Sequence, residues 1–399
     1  MRIGILREEK ILADKRVVLT PKQCKWITEN TNIDLVVESS DIRCFPDSDY
    51  SNLGIEVVNN LSNCDVLLGV KEVPISSLIS DKIYFYFSHI IKEQSYNRDL
   101  LQKMVQKNIT MIDYEVLKDR NNKRLIGFGR YAGIVGAYNV LLTYGLKSGK
   151  FFLKAANKCF GIKEVHQELN KIKLSTEKII LTGKGRVANG ALSILIKANI
   201  KEVSKEDFID KTFNESVFCR LNTMDYNERI DGSLSDKFNF YNNPKKYQSS
   251  FMNYTKHADI FIAGHFYGVG SPYLFTREDA KSDDFNLQVV ADISCDIDGP
   301  VASTIRSSTV TNPIYGYNPE TKSEDDFKKK GVIAVMAVDN LPCELPKDSS
   351  EYFGNEFINK ILPYLIGEDP DRVIERATIC KDGDLTPDFE YLKDYLNGD

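Results

Sequence analysis

The chain has 399 residues, 42% of them hydrophobic and 27% charged, a composition that excludes collagen, coiled-coil and disordered classes and fits a globular enzyme. Its formal charge of -5 argues against a nucleic-acid partner, because such binders carry a basic face to neutralise phosphates. At roughly 100 to 200 residues per domain, the length predicts two or three domains. The 8 cysteines are scattered, with no CxxC pair and no cysteine-histidine cluster at zinc spacing, so no metal is expected and a reduced, cytoplasmic protein is the reading. The opening Met1-Arg2-Ile3-Gly4-Ile5-Leu6 reads as a strand without the features of a signal peptide, and no apolar run approaches the ~20 residues of a membrane span.

Strand-like runs alternate with helical patterns, which predicts α/β architecture with largely parallel sheets. After the first strand, Thr20-Pro21 starts a capped helix over 22–29. Short strands are predicted at 34–38, 65–70 and 82–87, a helix at 96–107 and a strand at 109–114. The small-residue-rich apolar segment 131–147 predicts a buried helix of a length that suits a connection between domains. A polar helix at 161–174 precedes a strand at 178–182, and further buried strands are expected at 258–263, 287–292 and 331–338. The tyrosine-, asparagine- and charge-rich segment 210–256 has weak periodicity and reads as an insertion. A helix over 351–366 is expected to pack back on the first domain.

Leu181-Thr182-Gly183-Lys184-Gly185-Arg186-Val187-Ala188 lies between a predicted strand and a predicted helix. In a dinucleotide-binding turn Gly183 permits the turn, Gly185 lets the backbone approach a pyrophosphate, and Ala188 allows close helix-strand packing. The helix N-terminus and Arg186 favour anions; the alternative is a glycine turn that only links strand to helix. The ribose-binding acid expected about 20 residues on is not evident, since the next strand, near Glu202-Val203-Ser204, runs into Lys205-Glu206. NAD and NADP both stay open, with Lys205 a candidate partner for a 2′-phosphate.

Lys71 and His89 each follow an apolar strand, and the carboxyl ends of parallel strands face the ligand crevice. Together they suit acid-base work; separately, a solvated lysine and a structural histidine remain open. Arg16, after the first strand, suits bidentate carboxylate binding, against a surface salt bridge.

These motifs together resemble one family. Arg16-Val17-Val18-Leu19-Thr20-Pro21, Val70-Lys71-Glu72-Val73-Pro74 and Ser88-His89 are similar to the N-terminal domain shared by alanine dehydrogenase, the transhydrogenase α subunit and the lysine-forming saccharopine dehydrogenases. The segments 87–94, 128–133, 292–296 and 338–342 select the last branch, including the lysine-ketoglutarate reductase half of the animal bifunctional enzyme. The resemblance implies two Rossmann-like domains with an interdomain cleft: a substrate and catalytic domain at 1–130 plus 345–399, and a dinucleotide-binding domain at 131–344 with the insertion at about 210–256. It implies NAD or NADP as cofactor and interconversion of saccharopine with lysine and 2-oxoglutarate, in a monomer or small homo-oligomer.

Carried over by residue, the resemblance makes Lys71 the general base and His89 the general acid. Arg16, Gln94, Phe128, Ser294, Cys295 and Asp296 would meet substrate. Gly183, Gly185, Arg186, Val187, Ile293, Val338, Asp339, Asn340 and Leu341 would meet cofactor. Arg130 departs from the family in carrying charge at an uncharged position, and Lys123 stands where the fungal enzyme has a cofactor-binding arginine. Two other readings remain: an alanine-dehydrogenase-like enzyme that aminates a small 2-oxo acid with ammonia, and a nucleotide-binding sensor without turnover.

Overall fold

The computed structural model describes residues 1–9 and 14–398. The chain divides into two compact units, Met1–Phe128 with Pro346–Asp399, and Gly129–Leu345.

In the first unit, β1 (Arg2–Ile5), β2 (Asp34–Glu38), β3 (Glu56–Val58), β4 (Val66–Leu68), β5 (Ile83–Tyr86) and β6 (Thr110–Asp113) pair in parallel in the order β6-β5-β4-β1-β2-β3. β4 is buried throughout and β5 and β6 nearly so, as expected of strands covered on both faces. The helix Pro21–Asn30 begins as predicted: Thr20 and Gln23 form a reciprocal capping box, which satisfies two N–H groups at the helix start, with the proline in its first turn.

The second unit opens with the helix Gly129–Ser148, buried without a break from Gly133 to Gly145, so that its apolar residues point in nearly every direction. Such a helix has to be covered on most sides. One side meets the helix Arg186–Lys197, and their backbones touch: a Cβ on Gly190 would lie 2.0 Å from the Arg130 carbonyl oxygen, and one on Gly133 would lie 1.8 Å from that of Val187. The small residues of 129–137 therefore serve close helix-helix packing.

The strands of this unit are β7 (Lys178–Thr182), β8 (Lys201–Val203), β9 (Val217–Leu221), β10 (Asn227–Arg229), β11 (Tyr247–Ser249), β12 (Ile260–Ala263), β13 (Val289–Asp292), β14 (Ile314–Asn318), β15 (Ser323–Asp325) and β16 (Ile333–Met336). Eight of them form one sheet in the order β15-β14-β16-β13-β12-β7-β9-β8, parallel except for β14 and β15. This corrects the reading of 210–256 as one insertion. Val217–Leu221 is an integral strand, buried at four of its five residues and wedged between β7 and β8. Only the later part, with the β10-β11 hairpin, is an excursion from the sheet.

The chain then returns to the first unit. The helix Pro346–Lys360 buries Phe353 and Phe357, and its Ser350 hydroxyl accepts the Val17 N–H at 2.9 Å. β17 (Thr378–Lys381) adds antiparallel to β6 and β18 (Asp384–Leu385) to β17, a sheet extension that the helical expectation for the C-terminus did not include. The predicted polar helix at 161–174 is shorter, Ile162–Glu168 followed by one 3-10 turn. No helix among the described residues is long and apolar enough to cross a membrane.

Candidate functional site

In the first unit the parallel order brings the carboxyl ends of β1, β4, β5 and β6 side by side, so the segments that follow them share one edge. Glu8 follows β1, is buried, and accepts the N–H groups of Val70 at 2.7 Å and Lys71 at 2.9 Å. Burial, reinforced by the nearby Asp14 charge, pushes its carboxyl up to about 8. It holds the turn from which the half-buried Lys71 side chain projects.

His89 follows the neighbouring strand β5 and occupies the left-handed region, φ 56°, unusual for a residue with a Cβ and a mark of a locally imposed conformation. Its Nδ1 lies 2.6 Å from Glu72 Oε1, an ion pair when the imidazole is protonated. The residue before it is pinned as well, because Asp113, at the end of β6, accepts both the N–H and the hydroxyl of Ser88. Burial raises the Asp113 carboxyl above its ordinary range. Lys71 and His89 thus stand on adjacent strand ends, each held by a carboxylate. Glu8, Glu72 and Asp113 were not singled out from sequence, although Glu72 adjoins Lys71 in the quoted motif.

Arg16 forms a salt bridge, but not at the surface. It is 3% exposed, and its guanidinium grips Asp14 bidentately, with Nε–Oδ1 of 3.0 Å and Nη2–Oδ2 of 2.6 Å. The surface salt bridge is therefore a buried one, formed within a three-residue turn. The guanidinium also lies 4.2 Å from the centroid of the Phe128 ring, which stacks at 4.5 Å on Phe353. Phe128, expected to line a pocket, is 8% exposed and belongs to the hydrophobic core of this unit. Gln94 is exposed; its Oε1 accepts the Tyr96 hydroxyl and its carbonyl accepts the Tyr395 hydroxyl at 2.6 Å. Arg124 pairs with Glu115 at 2.7 Å.

In the second unit, Gly183 has φ 97°, and a Cβ there would lie 2.6 Å from the Gly264 carbonyl oxygen, so the turn after β7 requires glycine on both counts. Gly185, at the N-cap of the 12-residue helix Arg186–Lys197, has nothing within 4 Å of its Cβ position. Open space in front of uncapped helical N–H groups is what a pyrophosphate needs, so the loop fits a dinucleotide. Arg186 and Val187 start the helix, half-buried, with Val187 packed against Gly129 and Gly133.

The other residues expected at the cofactor collect at the ends of β13 and β16. Asp292, buried at the end of β13, accepts the N–H groups of Ser294 and Cys295 at 3.2 Å each and the hydroxyls of Ser294 and Thr304 at 2.8 Å each. This folds Ser294-Cys295-Asp296 into a turn with Cys295 at φ 56° and with Ser294 and Asp296 exposed. The Cys295 thiol lies 3.0 Å from the Ala337 carbonyl oxygen, which links the ends of β13 and β16, and burial pushes it up to about 12, away from a reactive thiolate. Ile293 packs on Gly136, Val338 and Leu341 are buried in the core, and Asp339 and Asn340 are the exposed and half-buried residues between them. Val338 and Leu341 are thereby core residues that set the position of Asp339 and Asn340. All 8 cysteines are free thiols, and no metal-binding cluster occurs among the described residues.

Residues 4–135 match the family model described as "Alanine dehydrogenase/PNT, N-terminal domain". The chain is 28% identical to an alpha-aminoadipic semialdehyde synthase of Arabidopsis thaliana over 98% of its own length and 41% of the relative's, and 25% identical to that of Mus musculus over 97% and 47%. It thus spans about half the length of these relatives. It is also 25% identical to the saccharopine dehydrogenase [NAD(+), L-lysine-forming] of Schizosaccharomyces pombe, with 90% of this chain and 91% of that one covered. Among solved structures, an L-alanine dehydrogenase superposes over 99% of the chain with a TM-score of 0.65 at 16% identity, which shows a common fold. The chain is accordingly similar to the lysine-forming saccharopine dehydrogenases and to the alpha-aminoadipic semialdehyde synthases, with residues 4–135 matching an alanine dehydrogenase/PNT N-terminal domain.

Proposed function

We propose that the chain is an NAD(P)-dependent oxidoreductase of the cytoplasm that interconverts saccharopine with L-lysine and 2-oxoglutarate. The observation that carries this reading is the pair Lys71 and His89 on the adjacent ends of β4 and β5, in a chain similar over nine tenths of its length to a lysine-forming saccharopine dehydrogenase. Joining lysine to a ketone requires the amine to lose a proton and the carbinol oxygen to leave as water, so one base and one acid have to act in turn. Lys71 serves as the base and takes the amine proton. His89, oriented by its Nδ1 contact with Glu72, serves as the acid that protonates the departing oxygen. A bound nicotinamide supplies the hydride that reduces the resulting imine.

The glycine loop of the second unit holds the nucleotide, Gly183 and Gly185 by close backbone approach and Arg186 by charge. Asp339 and Asn340, with the Ser294–Asp296 turn, supply polar groups beside it. Gln94 binds substrate at the other unit. The Arg16 guanidinium, oriented by Asp14 and the Phe128 face, is the cationic group assigned to a substrate carboxylate.

The test is an assay panel that crosses NADH and NADPH with lysine, ornithine and ammonia, against 2-oxoglutarate and pyruvate. Oxidation of reduced nucleotide that depends on both lysine and 2-oxoglutarate is expected. Turnover of ammonia with pyruvate, and none of lysine with 2-oxoglutarate, would make the chain an alanine-dehydrogenase-like enzyme instead. Nucleotide binding with no turnover of any pair would make it a sensor.

A further inference from the structure

In a dinucleotide-binding sheet the ribose of the adenosine is read from the end of the strand beside the glycine strand, by an acid for a 2′-hydroxyl or an arginine for a 2′-phosphate. Sequence distance points to β8 for that role, yet β8 is not beside β7. β9 lies between them, pairing with β7 from Lys178↔Val217 to Thr182↔Leu221, and β8 is pushed to the sheet edge. One strand of separation moves the end of β8 about 4.8 Å further away. β8 is also short: Val203 pairs with Cys219, two residues before β9 ends.

The end of β9 is instead joined to the glycine loop directly. The Gly183 N–H donates to the Leu221 carbonyl at 2.9 Å. Arg220 lies on the same side, where its Nε donates to the Gly183 carbonyl at 3.0 Å and its Nη2 to Asn189 Oδ1, on the first turn of the helix behind the loop, at 2.8 Å. The guanidinium is half-buried and fixed by two acceptors flanking the loop. Five N–H donors on a planar group leave it able to meet a phosphate as well.

The acid beyond β9 is already engaged. Asp225 accepts the Asn222 N–H at 2.6 Å in a reciprocal capping box and forms an ion pair with Lys205 Nζ at 2.7 Å. Lys205, the sequence-based candidate for a 2′-phosphate, is thus matched to Asp225, whereas Arg220 is held by neutral acceptors only among its hydrogen bonds.

We infer that this chain reads its nucleotide's adenosine ribose from the end of β9 and not β8, and that Arg220 is the residue that recognises a 2′-phosphate, selecting NADPH over NADH. The inference rests on the glycine loop being a dinucleotide site. It concerns binding and so is measurable without turnover.

The experiment is direct titration of the full chain with NADPH and NADH, followed by nucleotide fluorescence, together with displacement by 2′,5′-ADP and by 5′-AMP. Wild-type protein should bind NADPH and 2′,5′-ADP tighter than NADH and 5′-AMP by ~10-fold or more, as one charge-assisted contact supplies. Arg220→Leu should remove that preference by weakening only the two 2′-phosphorylated ligands, and Arg220→Lys should restore part of it. Equal weakening of all four ligands in Arg220→Leu would reduce Arg220 to a support for Gly183 and overturn the inference, as would wild-type protein that binds NADH as tightly as NADPH. Failure of every nucleotide to bind would overturn the dinucleotide reading itself, and this inference with it.

Discussion

The carboxylate of Glu8 accepts the backbone N–H of Lys71 at 2.9 Å, across 63 residues of sequence, and so ties the end of β1 to the end of β4. A buried carboxyl that ionises only near 8 makes that tie sensitive to pH.

The folded chain holds the Glu8 proton up to about pH 8, while the unfolded chain releases it near 4.5. Between those values the unfolded state binds fewer protons, so this group's contribution is fully present below 4.5 and is lost as pH rises through 8. Thermal unfolding of wild type and Glu8→Gln at intervals from pH 5 to 8.5 measures it. The wild type should lose ground to the variant as pH rises, and a constant difference would show that Glu8 does not titrate in this window.

Lys71→Met and His89→Gln should each lower turnover by ~10²-fold or more while NADPH fluorescence titrations stay within about twofold of wild type. Glu72→Gln leaves both groups in place and removes only the partner of His89 Nδ1, so a smaller loss, ~10-fold, is expected. Unchanged kinetics in both primary variants would remove the acid-base assignment.

Phe353 stacks on Phe128, lies tilted against Phe87 and meets Tyr114 edge to face, with centroids at 4.5, 6.0 and 5.1 Å. It is the point at which the returning helix Pro346–Lys360 completes the first unit's core. Phe353→Ala should cost about 3–5 kcal/mol in urea unfolding. It should also loosen Arg16, whose guanidinium lies on the other ring of the stack.

Gly190→Ala offers a test of the helix pair in the second unit. On an exposed helix the change would stabilise by up to ~1 kcal/mol. Here the new methyl would meet the Arg130 carbonyl oxygen at 2.0 Å, a backbone atom that cannot rotate away, so destabilisation by about 1–3 kcal/mol is expected. A gain in melting temperature would contradict the close packing.

Local sequence was enough to locate nearly every parallel strand, the buried helix at Gly129–Ser148 and the turn at Gly183, because strand periodicity, small-residue runs and glycine turns are written within a few residues. It also brought Lys71 and His89 forward, since each follows an apolar strand. What it could not supply was adjacency. That Val217–Leu221 sits between β7 and β8, that Arg16 closes on Asp14 over the Phe128 ring, and that Glu8 reaches the Lys71 turn all follow from which strands pair and which side chains lose water together. Strand order is chosen by burial summed over the whole sheet, a long-range quantity that no single segment carries. The strand beside the glycine strand β7 is for that reason β9, and not β8, which follows the glycine loop more closely in sequence.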